Sequence, residues 1–174
     1  MTKQTGKAAK TKSDQHEVVI ETPRGSRNKY KYDEETGRMK FSKVLPEGMM
    51  FPYDFGFLPG TKAEDGDPLD VLVLGDEPMF PGCEVQCRFV GVLKAYQREN
   101  GEQNRNDRLI AVAEGSVLYA RVDELSDLEP VVLQQIEQFF TNYQRVRNID
   151  FEVIGRGGSR AALALLKEST KKAA

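Results

Sequence analysis

The stretch Asp65-Gly66-Asp67-Pro68-Leu69-Asp70, followed at once by Val71-Leu72-Val73-Leu74, dominates the chemistry of this chain. Its three carboxylates lie within six residues and repel one another, so a folded protein keeps them together only with a cation between them. Mg²⁺ suits this role because it binds one or two carboxylates beside water and phosphate oxygens. The apolar run predicts a buried strand that anchors the turn to a core. Together these features predict a metal site that works on phosphate.

Other uses of an acidic turn differ in spacing. An EF-hand calcium loop needs an oxygen ligand at its fifth position and glycine at its sixth, where this chain has Leu69 and Asp70. A phosphatase with an aspartyl nucleophile usually places its aspartates after an apolar strand, whereas here the strand follows them. A solvated acidic turn is the ordinary alternative, because Asp, Gly and Pro cluster in turns. The spacing alone leaves the metal site and the solvated turn open.

The composition is typical of one globular domain. The chain has 174 residues, of which 39% are hydrophobic and 30% charged, so it can bury a substantial core. The net charge of −2 gives no indication of nucleic-acid binding. No apolar stretch approaches the roughly 20 residues that span a bilayer. We therefore expect no nucleic-acid or membrane partner.

The ends of the chain and its cysteines suggest where it works. Residues 1–15 are lysine-bearing without an apolar block, which predicts a disordered basic tail and not a secretory signal. Residues 16–170 are predicted as one domain, and 171–174 as a flexible C-terminus. Cys83 and Cys87 would lie roughly 13 Å apart on one extended strand, too far for a disulfide. Unpaired cysteines predict a reducing, cytoplasmic location.

Short alternating and apolar segments predict a small β-barrel with helices packed outside it. Lys29-Tyr30-Lys31-Tyr32 alternates with a period of two, and residues 38–44 return as the second arm of a hairpin. Residues 46–59 are predicted as an irregular crossing and residues 97–107 as an exposed polar loop. Gly91 predicts a bulge or bend in a long strand. The remaining predictions are strands at 18–21, 71–74, 84–95, 108–113 and 149–154, and helices near 130–146 and at 160–166.

The acidic turn and several distant segments together resemble the soluble family I inorganic pyrophosphatases. The stretch Asp65-Gly66-Asp67-Pro68-Leu69-Asp70-Val71 matches that family's signature without a gap. Because the similarity extends over nearly the whole ordered chain, it is more specific than one motif. The other matching points are Val18-Val19-Ile20-Glu21, Lys29-Tyr30, Phe51-Pro52, Gly56, Pro81-Gly82, Val90-Gly91-Val92-Leu93-Lys94, Phe139-Phe140 and Tyr143.

The resemblance implies a mainly β fold with helices (α+β), an OB-like five-stranded β-barrel with flanking α-helices. It also implies Mg²⁺-dependent hydrolysis of inorganic pyrophosphate to two phosphates by a homo-oligomer, commonly a hexamer in bacteria. By resemblance, Asp65 and Asp70 hold metal ions, and Asp67 accepts the proton of the attacking water. The residues implied to bind the substrate are Lys29, Lys43, Arg108 and Tyr143, with Glu21 supporting the site.

The chain departs from the family pattern at positions that carry charge. Lys31 stands where the family has glutamate, and Gln97 and Asn106 where it has two metal-binding aspartates. Gln144 replaces a lysine. Lys31 in place of glutamate adds two units of positive charge, and Gln97 and Asn106 in place of aspartates add one unit each. Gln144 in place of lysine removes one unit, so the site is three units more positive than the family's site. We expect fewer bound metal ions, with Lys31 or its neighbours partly replacing one. The remaining departures are Lys43 for arginine, Phe55 for tyrosine and Arg108 for lysine.

These departures predict reduced or atypical activity, because losing one placed electrostatic group often lowers a rate about 10²- to 10³-fold. Asp107, Glu99 or Glu102 can instead restore a carboxylate and keep a fuller metal site. A more positive pocket also suits a non-catalytic phosphate- or nucleotide-binding homologue. The longer polar loop admits a third alternative, a phosphohydrolase that acts on an organic diphosphate.

Overall fold

Five strands close into a ring at the centre of the computed structural model, which describes residues 15–173. Pairing of the last strand of the ring with the first closes it. One neighbouring pair is parallel and the others are antiparallel. The OB-like five-stranded barrel is therefore confirmed. In ring order the strands are β1 (His16–Thr22), β4 (Asp54–Leu58), β5 (Leu69–Leu74), β8 (Arg108–Ala113) and β6 (Glu84–Glu99).

Four further strands among residues 15–173 lie beside this ring. β2 (Asn28–Asp33) pairs with β3 (Arg38–Val44) in a separate two-stranded sheet, as their alternating pattern predicted. β7 (Glu102–Arg105) folds back on the end of β6, and β9 (Asp150–Gly158) pairs along β6. The long strand β6 therefore connects the ring to both of these additions.

Two α-helices pack against the strands. α1 (Pro130–Arg145) begins with proline in its first turn, where the missing N–H has no helical partner to lose. α2 (Ser159–Ala173) continues past its predicted end at residue 166 and includes most of the segment predicted as a flexible C-terminus. The predicted basic tail lies outside the described residues, except for residue 15. No helix within residues 15–173 is long and apolar enough to cross a membrane.

The apolar core of residues 15–173 has a part inside the ring, a part under α1, and a third part that includes Leu74 and Leu125. All five ring strands contribute to the first part, which includes Val18 and Val71. Successive side chains of a strand point to opposite faces, so Leu72 joins the second part. There it packs with Ile136 and Phe140 of α1. The second part lies beside the acidic turn's strand and fixes α1 over the candidate site.

The bulge predicted at Gly91 is confirmed. The pairing of β6 with β8 shifts register between Phe89 and Gly91. A Cβ atom at Gly91 would lie 2.3 Å from Cγ of Leu125, so only glycine allows this close approach. The bend lets β6 pair with several neighbours along its length.

Both segments predicted as irregular contain strands. Residues 54–58 form β4, because closure of the barrel pairs them with both β1 and β5. Residues 97–105 form a hairpin in which Glu99 pairs with Glu102. Asn100 and Gly101, at φ of 52° and 83°, supply the two left-handed residues of its turn. The loop prediction was therefore wrong over most of residues 97–107, and Asn106 is buried.

The cysteines are unpaired, as their spacing predicted. Cys87 is fully buried in the barrel core and behaves as a small apolar side chain. Burial raises the pKa of its thiol to about 12. Cys83 is partly exposed at the start of β6.

Candidate active site

The acidic turn is built by local hydrogen bonds before β5 begins. Gly66 has a φ of 89°, a left-handed conformation that its lack of a Cβ allows. The backbone N–H of Asp67 donates to Asp65 Oδ1 at 3.2 Å. Thr61 Oγ1 accepts the N–H of Leu69 at 3.0 Å, which ties the end of the turn to the loop before it. The turn thus presents Asp65 and Asp67 at the surface, with Asp70 on the strand.

Each carboxylate of the turn has its own partner. Asp67 Oδ2 lies 3.1 Å from Lys31 Nζ. Asp70 and Arg108 are register partners in the parallel pair β5–β8, and Asp70 Oδ2 lies 3.4 Å from Arg108 Nη2. Among residues 15–173, no three Asp, Glu, His or Cys side chains are grouped to hold one ion by themselves. Any ion bound here would take its remaining ligands from water or substrate.

The carboxylates of the turn are close enough for their charges to oppose one another. The pKa of Asp65 is raised, first because the surrounding protein excludes water and then because the charges of Asp70 and Asp67 are close. A divalent cation between these carboxylates would relieve that repulsion. The residues present therefore fit a cation held in part by Asp65 and Asp70.

Glu21 lies behind the turn at the end of β1. It is 7% exposed, and its Oε1 accepts the backbone N–H of Tyr32 at 2.7 Å. Burial raises the pKa of Glu21 to about 7, and the nearby charge of Asp70 adds to this rise. The hydrogen bond joins β1 to the β2–β3 hairpin, so Glu21 positions the hairpin that carries Lys29 and Lys31.

A cleft of about 520 Å³ lies between the hairpin and the acidic turn. Its volume is in the range of small-molecule sites. Carboxylates and ammonium groups both line it, so it can hold a cation and an anion side by side. The lining residues with charge at the turn end are Glu21, Lys31, Asp67 and Asp70.

A second set of cationic groups lies next to Asp70 and packs on aromatic rings. Lys29 Nζ is 5.5 Å from the Phe55 ring centre and 5.6 Å from that of Tyr143. Burial lowers the pKa of Lys29, and the charges of Asp70 and Glu21 oppose this change. Lys43 is the register partner of Lys29 across the hairpin. These contacts bring Lys29, Lys43 and Tyr143 together.

Two donors in this region are buried without a hydrogen-bond partner among residues 15–173. They are the Tyr143 hydroxyl and Arg108 Nε. Both side chains are less than a tenth exposed, and the Arg108 guanidinium lies 4.8 Å from the Phe140 ring centre. Buried polar groups in native proteins normally have partners. An anionic ligand would supply acceptors for both.

Comparison with known proteins agrees with this geometry. Residues 18–174 match the family profile described as Inorganic pyrophosphatase. The chain belongs to the inorganic pyrophosphatase family. An inorganic pyrophosphatase of Methanosarcina acetivorans is 39% identical over 155 residues, which are 89% of this chain and 90% of that protein. The family resemblance read from the sequence is thus confirmed.

Solved structures of the inorganic pyrophosphatase family have the same fold. The crystal structure of the inorganic pyrophosphatase from Thermus thermophilus has a TM-score of 0.86 at 32% identity, covering 98% of this chain and 97% of that one. An inorganic pyrophosphatase structure from Coxiella burnetii has a TM-score of 0.86 at 30% identity, covering 96% and 99%. The barrel and both helices are therefore those of this family.

The three amides that we expect to depart from the inorganic pyrophosphatase pattern contact one another. Gln97 Oε1 accepts hydrogen bonds from Asn106 Nδ2 at 2.8 Å and from Gln144 Nε2 at 3.1 Å. Asn106 and Gln144 are buried, at 8% and 3% exposure. We call these three side chains the amide bridge. They come from β6, the segment before β8, and α1.

The carboxylates considered as replacements lie around the amide bridge in different ways. Asp107 Oδ1 accepts the N–H of Ala95 at 3.0 Å and that of Arg105 Nε at 2.5 Å, so it is already engaged. Glu99 Oε2 lies 3.4 Å from Gln97 Nε2, on an exposed strand end. Glu102 is exposed and pairs with Glu99 through the backbone. Of the three, only Glu99 has a side-chain contact with the bridge.

Arg147 is a member of this region that the sequence did not single out. Its Nη1 donates to Gln144 Oε1 at 2.7 Å, and its guanidinium lies 5.5 Å from the Tyr143 ring centre. Its charge is close enough to contribute to lowering the pKa of Lys29. A basic residue just beyond α1, one turn from Tyr143, was the signal available in the sequence.

Proposed function

We propose that this chain hydrolyses inorganic pyrophosphate to two phosphates, with Mg²⁺ as its cofactor. The observation that carries the proposal is the meeting of two charge sets at Asp70. On one side are the carboxylates of the acidic turn, and on the other are Lys29 and Arg108. The first set suits a hard cation and the second suits phosphate oxygens. Family members with the same fold are named inorganic pyrophosphatases.

Asp65 and Asp70 would hold the metal ion, with water and phosphate oxygens completing its shell. When bound, Mg²⁺ polarises phosphate oxygens and lowers the pKa of a neighbouring water. Asp67, which lines the cleft, takes the proton of the attacking water. Lys31, at 3.1 Å from Asp67, supplies from the chain itself a cation beside the substrate.

Lys29, Lys43, Arg108 and Tyr143 bind the phosphate oxygens. The unpartnered Tyr143 hydroxyl and Arg108 Nε support this role, because an anion would satisfy both donors. Cationic groups fixed by packing against rings also stabilise charge that develops on a leaving phosphate. The aromatic contacts of Lys29 and Arg108 hold their charged groups without cancelling the charge.

We also infer that the chain is cytoplasmic and assembles as a homo-oligomer, in line with a hexamer. Apolar side chains at the surface support association, since Phe80 and Leu118 are both 71% exposed. The free cysteines support a reducing compartment. Sedimentation of the purified full chain measures the oligomer, and a monomer at micromolar concentration would contradict that part.

Phosphate release from pyrophosphate, with Mg²⁺ and with EDTA, tests the function. We expect release only with Mg²⁺, and a fall of about 10²-fold or more in Asp67→Asn, because a general base typically contributes that much. Asp150→Asn is a matched control, because Asp150 is similarly exposed and pairs with Arg98 at 3.1 Å. It should release phosphate at the wild-type rate.

Two outcomes would count against this proposal. Equal rates for Asp67→Asn and Asp150→Asn would remove Asp67 from the mechanism. No release from pyrophosphate by the wild-type chain would overturn the function. Anion binding without any release would then favour a non-catalytic homologue, and release from an organic diphosphate alone would favour the other phosphohydrolase.

A further inference from the structure

The amide bridge is closed at both ends by guanidinium groups. Arg108 Nη1 donates to Asn106 Oδ1 at 2.5 Å, and Arg147 Nη1 donates to Gln144 Oε1 at 2.7 Å. Gln97 Oε1, in the middle, accepts from both other amides. Every amide oxygen of the bridge therefore already accepts an N–H.

This arrangement does not fit a divalent cation. An amide can offer only its oxygen to a metal ion, and here each oxygen faces a positively polarised N–H group. The bridge itself is neutral, and its two ends hold positive charges. It fits the opposite role, since it fixes Arg108 and Arg147 at set positions on either side of Gln97.

Arg147 belongs to a cluster of cations around Tyr143, and Arg108 is close enough to this cluster for its charge to act on Lys29. Arg147 and Lys29 lie over the Tyr143 ring, at 5.5 Å and 5.6 Å from its centre. Lys43 is the register partner of Lys29 in the hairpin. The charge of Arg147 contributes to lowering the pKa of both lysines. The buried Tyr143 hydroxyl and Arg108 Nε have no partner among residues 15–173. The cluster and Arg108 thus hold N–H and O–H donors that an anion could use.

We propose that Arg147, held by the amide bridge, is a substrate-binding residue, and that the pocket it completes binds a phosphate group of pyrophosphate without a divalent cation. Gln97, Asn106 and Gln144 act as positioning residues. The identity of the anion rests on the proposed function, but binding does not depend on turnover. Arg147 keeps donors beyond the one used by the bridge, which phosphate oxygens accept in a paired geometry, and Arg108 keeps its unpartnered Nε.

Calorimetric titration of the full chain with imidodiphosphate, an analogue with a nitrogen bridge, in EDTA tests the pocket. The wild-type chain should bind the analogue. Arg147→Gln should weaken binding about tenfold or more, the usual effect of losing a charge-assisted hydrogen bond. Arg145→Gln removes the same charge from a neighbouring exposed position and should change affinity less than about twofold. No wild-type binding in EDTA, or equal effects of the two variants, would overturn the proposal.

The role of the bridge needs variants that leave Arg147 in place. Gln97→Asp with Asn106→Asp should abolish binding in EDTA and make it depend on Mg²⁺, because carboxylates replace the neutral oxygens. Gln144→Met removes the hydrogen-bond acceptor of Arg147 without adding charge, and it should weaken binding of the analogue several-fold. This single variant still tests the positioning role if the double variant does not fold. Unchanged binding in EDTA by folded Gln144→Met would overturn the positioning role.

The outcomes also separate this inference from the proposed function. Analogue binding in EDTA that depends on Arg147, with no phosphate release from pyrophosphate in Mg²⁺, would support the inference and overturn the function. Phosphate release in Mg²⁺ without analogue binding in EDTA would do the reverse.

Discussion

Replacing Lys31 with glutamine removes the ammonium group that lies 3.1 Å from Asp67 Oδ2. At this distance two unit charges in water attract by about 1.3 kcal/mol. The exposures of the two side chains, 58% and 63%, place the pair near that limit. Mg²⁺ that binds at the turn competes with Lys31 for the charge of Asp67, and the ammonium group of Lys31 also repels it. Lys31→Gln should therefore bind Mg²⁺ about tenfold more tightly, since about 1.4 kcal/mol is a factor of ten.

Calorimetric titration of the chain with Mg²⁺, without substrate, measures this change. Lys31→Arg keeps the charge and should stay close to the wild type. Lys40→Gln is the matched control, because Lys40 is the register partner of Lys31 but pairs with Asp33. The free energy of unfolding should change by less than about 1 kcal/mol, as for other exposed ion pairs. Mg²⁺ affinity no tighter in Lys31→Gln than in Lys40→Gln would refute the idea that Lys31 stands in for a metal ion.

Three further predictions concern other parts of the chain. Burial raises the pKa of Glu21 from 4.5 to about 7. Between pH 4.5 and about 7 the folded chain therefore keeps a proton on Glu21 that the unfolded chain loses. The free energy of unfolding should fall by about 3 kcal/mol as the pH rises through this range. Thermal melts in EDTA should show this fall in the wild type and not in Glu21→Gln; equal pH profiles would contradict it. Gly91→Ala should lower the free energy of unfolding in urea by about 1–3 kcal/mol, because the added Cβ meets Leu125; no loss would show that the bend tolerates a side chain. Mass spectrometry after brief alkylation of the native chain should find Cys83 labelled and buried Cys87 unlabelled; the reverse order would contradict the core assignment.

The acidic turn could be interpreted from sequence because its chemistry is local. Three carboxylates and the apolar strand that anchors them are consecutive, so their repulsion and their support are visible in one stretch. Lys31 was also identifiable, since β2 alternates with a period of two and places Lys29 and Lys31 on one face. The structure adds that this face turns toward Asp67. That orientation depends on Glu21, whose bond to the Tyr32 backbone joins elements with no local signal.

The polar hairpin at residues 97–105 shows where pattern analysis failed. Its side chains are almost all polar, so the alternation that marks a half-buried strand is missing. The informative signal was Asn100-Gly101, a pair that favours a two-residue hairpin turn. Burial was misjudged for the same reason. Asn106 is polar and follows a polar run, yet it is only 8% exposed because Gln97 and Arg108 satisfy its amide.

The amide bridge changes how the substitutions in the site are to be counted. Treated one position at a time, the resemblance implies that Gln144 is a lost cation and that Gln97 and Asn106 are lost metal ligands. In the structure, Gln144 accepts a hydrogen bond from Arg147, so a positive charge lies over the Tyr143 ring. If carboxylates had simply been lost from a metal site, buried amides would be left short of partners at a free-energy cost. Instead all three amide oxygens accept hydrogen bonds, two of them from arginines. A network satisfied in this way acts as a unit. Restoring one carboxylate alone should therefore disturb both guanidinium groups before it creates a metal ligand.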